Sequence, residues 1–71
     1  MLTEIKEREK QSLTSAELNV IDWINENEEK IPDMSINEIA DASFTSPATV
    51  SRAIRKCGFS GIAEMKYKIS S

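Results

Sequence analysis

Ala48, Ser51, Arg52 and Arg55 follow one another at spacings of three, one and three residues. At about 100° per residue they fall on one side of a helix, with Thr49 and Lys56 at its flanks. That side offers a methyl group, a hydroxyl that donates or accepts, and two guanidiniums with forked donors. Such groups recognise an anionic, hydrogen-bonding surface and break no bonds. Val50, Ala53, Ile54 and Cys57 of the same stretch face the other way and form an apolar side for docking. Covalent chemistry has little to work with, because the chain holds no histidine and a single cysteine, Cys57. The usual neutral-pH base, the commonest metal ligand and an internal disulfide are all removed, and no catalytic, metal or cofactor site is expected.

The 71 residues suffice for one domain, read as 1–71, and are too few for a second core. An apolar content of 39% with 30% charged residues is ordinary for a folded domain. The net charge of −3 hides a strong asymmetry. Residues up to Ala42 carry four cations against eleven carboxylates, a net of −7; from Ser43 onward five cations face Glu64 alone, a net of +4. A basic end can meet a polyanion while the acidic end faces solvent or a partner. Residues 1–10 alternate in charge, unlike a signal peptide, and no apolar run approaches the roughly 20 residues of a membrane span. The chain reads as cytoplasmic, with no membrane partner.

The elements that must position the cationic face are short and capped. Residues 2–10 are expected to form a weakly amphipathic helix around Leu2 and Ile5. Thr14 and Glu17 make a capping box, with Leu13 and Leu18 in staple positions, and open a core helix reaching to about residue 28. Its end is acidic at Glu26, Glu28 and Glu29, against the helix dipole, and is expected to fray; Pro32 marks the connection. Ser35 and Glu38 repeat the box and open a helix from Ile36 to Ala42 or Ser43. After about three turn residues, Ser46 caps a helix over 47–57 that has Pro47 at its first position and ends at Gly58, with Arg55 and Lys56 in its last turn. Ser60 is expected to cap a last helix carrying Ile62, Met65 and Ile69.

The expected fold is therefore all-α, a small bundle of about five short helices containing a helix-turn-helix of the homeodomain-like kind. In that arrangement the apolar side of 47–57 docks on Ile36, Ile39 and Ala40, and its polar side suits the major groove of double-stranded DNA. Ala48 touches a thymine methyl, Ser51 donates or accepts, and Arg52 makes a bidentate guanine contact. Ser35, Ser46, Thr49, Arg55, Lys56 and Lys66 are the candidate phosphate contacts.

The stretch 35–61, SINEIADASFTSPATVSRAIRKCGFSG, resembles the N-terminal domain of RpiR-type bacterial transcriptional regulators. The resemblance rests on Ser35, Ile36, Glu38, Ile39 and Ala40, then Ser46, Ala48, Thr49, Val50 and Arg52, then Gly58, Phe59 and Gly61, and it extends over residues 13–69. It implies a sequence-specific DNA-binding domain acting as a homodimer in the full-length protein. It also implies a phosphosugar effector sensed by a C-terminal sugar isomerase (SIS) domain. This chain stops at Ser71, so it is expected to be an isolated DNA-binding fragment without effector sensing and with weakened pairing. Phe44 departs from the pattern. It stands where helix-turn-helix turns often carry Gly, so another turn conformation is expected. Thr45 and Ile62 replace a usual Val and a usual aromatic.

The competing function is a helical protein-interaction module, in which the acidic half or residues 2–10 grip another protein. Blander roles also stand beside the sharp ones. Arg52 competes with a solvated surface charge and Arg55 and Lys56 with dipole complements, while Cys57 and Trp23 read as core residues.

Overall fold

The computed structural model describes residues 13–70. Among them lie four α-helices and one 3₁₀ turn: α1 Ser15–Glu26, the turn Ile31–Asp33, α2 Ile36–Ala42, α3 Pro47–Lys56 and α4 Ile62–Ser70. The helix expected over 2–10 lies outside the described residues. The all-α class and the helix-turn-helix are present as expected, and α2 and α3 match the expected bounds to within a residue.

Local chemistry sets each boundary. At α1 the Glu17 N–H donates to Thr14 Oγ1 at 3.1 Å and the Thr14 N–H donates back to Glu17 Oε1 at 2.9 Å, so two helix-end donors are satisfied reciprocally. The helix ends at Glu26, two residues before the expected limit. No cation stands in its last turn to offset the dipole, and Asn27 leaves helical geometry while its Nδ2 donates to the Trp23 carbonyl at 2.8 Å. Ser35 and Glu38 close the same reciprocal box on α2, at 3.1 and 2.9 Å. Gly58 ends α3 with φ 97°; its N–H donates to the Arg55 carbonyl and that of Phe59 to the Ile54 carbonyl, a Schellman ending. Helix α4 starts at Ile62, after Gly61 rather than directly after Ser60, and Glu64 reaches back to accept the Ser60 N–H at 3.1 Å.

Packing centres on α3, which rests on both α1 and α2. Val50, Ala53 and Ile54 are fully buried against Val20, Ile21 and Ile24 of α1 and Ile39 and Ala40 of α2, with Met65 of α4 completing the core. Each fully buried aliphatic side chain contributes roughly 1.5–3 kcal/mol of transfer free energy. Ile31 joins this core although it sits in a three-residue turn, which lies against α4. Sequence periodicity marked Pro32 only as punctuation and gave Ile31 no core role. Trp23 and Cys57, expected as core, are half-buried at its edge.

The turn between α2 and α3 departs from expectation. Phe44 adopts the left-handed conformation, φ 58°, that a glycine would take there. The backbone on either side holds it in place. The Phe44 N–H donates to the Asp41 carbonyl at 3.2 Å and the Thr45 N–H to the Ala40 carbonyl at 2.9 Å. The aromatic ring projects into solvent, 95% exposed.

Candidate nucleic-acid interface

Three features orient α3. Its apolar side is fixed by the core, Pro47 occupies the first turn where no N–H is needed, and Ser46 Oγ accepts the Thr49 N–H at 3.2 Å. Ala48, Arg52 and Arg55 are then exposed on the outward side, as the spacing predicted, while Ser51, expected to be exposed with them, is half-buried. Ser46 lies exposed at the start of the helix and Ser35 exposed at the start of α2, where the Ser35 hydroxyl accepts the Glu38 N–H. Thr49 is more buried than a flank position implies, at 8% exposure. Its hydroxyl bonds Ser46 Oγ at 2.9 Å and accepts from Arg52 Nη2 at 3.3 Å.

The Glu17 carboxylate governs the electrostatics of this surface, and sequence reasoning gave it only a capping role. The residue is 1% exposed, and α1 aims it at the inner flank of α3. Lys56 Nζ donates to its Oε1 at 2.8 Å and Arg52 Nε to its Oε2 at 3.3 Å. The Lys56 ammonium, then the Thr14 N–H, pull its pKa from 4.5 to about 2 against the opposing effect of burial. Glu17 is thus an anion at any physiological pH, and it anchors two of the three α3 cations. Arg52 and Lys56 lie four residues apart, which puts them in reach of one acceptor. The acceptor itself is 35 and 39 residues distant in sequence, beyond any local pattern.

Arg52 is only partly committed, since its side chain remains 60% exposed. The guanidinium has five N–H groups; Nε and Nη2 each donate once, to Glu17 and Thr49, which leaves the second Nη2 hydrogen and both on Nη1 for other acceptors. Arg55 is exposed, and Lys56 keeps about a third of its side-chain surface, 34%. Lys66 of α4 is half-buried near Glu38, whose carboxyl is held below its usual range, chiefly by the Ser35 N–H and hydroxyl and slightly by Lys66.

A concavity of about 390 Å³ lies between α1 and the α2–α3 turn, lined by Asn19, Asp22, Trp23, Glu26 and Phe44 among others. Its two carboxylates repel phosphate. Among the described residues, no group of His, Cys, Asp and Glu side chains is placed to hold a metal ion, and no helix is long and apolar enough to cross a membrane.

A short capped helix, a tight turn and a second helix whose outward side is cationic define a helix-turn-helix domain. The model of the helix-turn-helix domain of the rpiR family matches residues 1–71, and the chain belongs to that family. It is 37% identical over 59 residues to an uncharacterised HTH-type transcriptional regulator of Caldanaerobacter subterraneus subsp. tengcongensis. The match covers 83% of this chain and 21% of that relative, so the chain spans about a fifth of the relative's length. No solved structure matches the chain.

Proposed function

We propose that this chain is the sequence-specific DNA-binding domain of a cytoplasmic bacterial transcriptional regulator, with α3 in the major groove. The observation that carries this is the outward side of α3, where Ala48, Ser51, Arg52 and Arg55 stand together on a helix without a single carboxylate. Ala48, Ser51 and the outer end of Arg52 read base edges. Ser35, Ser46, Arg55, Lys56 and Lys66 meet phosphates and set the register. Thr49 belongs with them through Ser46. When its hydroxyl accepts from Arg52 and donates to Ser46 Oγ, Ser46 keeps its own proton for a phosphate oxygen.

The whole regulator acts as a homodimer, placing two α3 helices about 34 Å apart on a pseudopalindromic operator. A sugar isomerase domain elsewhere in it answers to a phosphosugar, and neither part of the mechanism calls for catalysis or a cofactor. As a lone domain the chain binds DNA weakly. Selection from a pool of randomised duplexes, followed by a salt titration on the selected sequence, tests the proposal. Affinity falls steeply as salt rises, and Arg52→Ala flattens base preference. Equal binding to selected and scrambled duplexes defeats it.

The acidic, aromatic cleft beside Phe44 favours the second reading, a protein-interaction module. The double substitution Arg52→Glu with Arg55→Glu separates the two, abolishing DNA binding and sparing a protein partner seated in that cleft, which neither arginine lines.

A further inference from the structure

We infer that Glu17, a residue on α1 outside the DNA-facing surface, is a positioning residue that presets Arg52 for an end-on contact to guanine. This rests on the DNA-binding reading above. An unrestrained arginine samples many rotamers and loses that freedom on binding. Here the Nε–H is fixed at 3.3 Å on Glu17 Oε2 and Nη2 at 3.3 Å on Thr49 Oγ1, so one edge of the planar fork is held from behind. The adjacent edge carries the parallel donors that match guanine O6 and N7, one hydrogen of Nη1 and the second hydrogen of Nη2. The carboxylate is itself held by the Thr14 N–H and by burial, so it does not swing out with the arginine. The base at the Arg52 position is therefore guanine.

The same carboxylate restrains indiscriminate binding, since it neutralises charge on Arg52 and Lys56 that would otherwise attract any phosphate. Removing its charge has two effects of opposite sign. Discrimination falls as Arg52 loses its anchor, and attachment to arbitrary DNA rises as Arg52 and Lys56 lose the counter-charge they share. A loss of folding lowers both.

Glu17→Gln makes the test, because glutamine is accepted at this position of a capping box. Dissociation constants are measured for the 71-residue chain on the duplex selected for the wild type, on versions carrying each other base at the guanine, and on an unrelated duplex. Circular dichroism verifies helicity. The expected result is a loss of about tenfold in guanine discrimination with a gain of about twofold to threefold on the unrelated duplex. Thr14→Ala, which removes the hydroxyl that accepts the Glu17 N–H but keeps the backbone N–H that holds the carboxylate, keeps wild-type discrimination. Should Glu17→Gln not fold, Glu17→Asp replaces it, with lost discrimination at unchanged affinity for unrelated DNA. Preserved discrimination in the Glu17 variant, or an equal loss in Thr14→Ala, overturns the inference. If Arg52→Ala leaves the wild-type base preference intact, or the wild type has none, the DNA-reading role of Arg52 fails first and this inference with it.

Discussion

Glu17 Oε2 and Arg52 Nε meet at 3.3 Å although 35 residues separate them in the chain. The pair joins the first turn of α1 to the middle of α3, and Lys56 adds a second strut to the same carboxylate at 2.8 Å. Removing one partner from such a group leaves the other without its counter-charge, which is costlier than the loss of an exposed pair.

Acid destabilises the domain in a defined window. The Glu17 pKa is about 2 in the fold against 4.5 for an unperturbed glutamate, so its contribution to stability is complete above about pH 4.5 and is lost as pH falls toward 2. The lowered Glu38 carboxyl acts in the same direction. Thermal unfolding midpoints measured from pH 6 down to pH 2 decline mainly in this window, and Glu17→Gln flattens most of the decline.

Ile31 counts as much as a helical core residue. It is as fully buried as Ile39, despite sitting in a three-residue turn. Ile31→Ala and Ile39→Ala each cost about 2–5 kcal/mol in denaturant unfolding. A cost below 1 kcal/mol for Ile31→Ala contradicts the packing described.

Gly58→Ala isolates a backbone effect. A Cβ at this position meets nothing within 4 Å, so the penalty comes from φ 97° alone, about 1–2 kcal/mol. The expected calorimetric result is a lowered midpoint, with DNA affinity unchanged wherever the domain is folded.

Phe44→Gly moves stability the other way. Glycine removes the left-handed strain at φ 58° and sheds no packing, because the ring is almost wholly in solvent. The greater freedom of the unfolded chain offsets part of the gain, leaving about 0.5–1 kcal/mol of net stabilisation. A β-branched substitution, Phe44→Val, lowers the unfolding midpoint.

Most of the fold is legible in the sequence because its boundaries are set locally. Thr14 with Glu17, Ser35 with Glu38, Ser46 before Pro47, and Gly58 are each decided by residues within one turn of the chain. The outward side of α3 follows from spacing alone. Features that depend on tertiary contacts are not legible in this way. Ile31 is a core residue only because its turn lies against α4, and Phe44 takes a strained conformation because its neighbours' backbone bonds close the turn around it. Glu17 reads as a cap from local spacing, and its grip on Arg52 and Lys56 exists only once α1 and α3 are packed.

The shared carboxylate also shapes how the domain opens. The N-terminal turn of an ordinary helix frays independently of its neighbours. In this chain the Thr14 N–H and the Lys56 ammonium share Glu17 Oε1, so unwinding the start of α1 strips the inner flank of α3 of its anchor. The amides of Thr14 and Glu17 should therefore exchange with deuterium in step with those of α3, as one cooperative unit that stays shut until the whole bundle lets go.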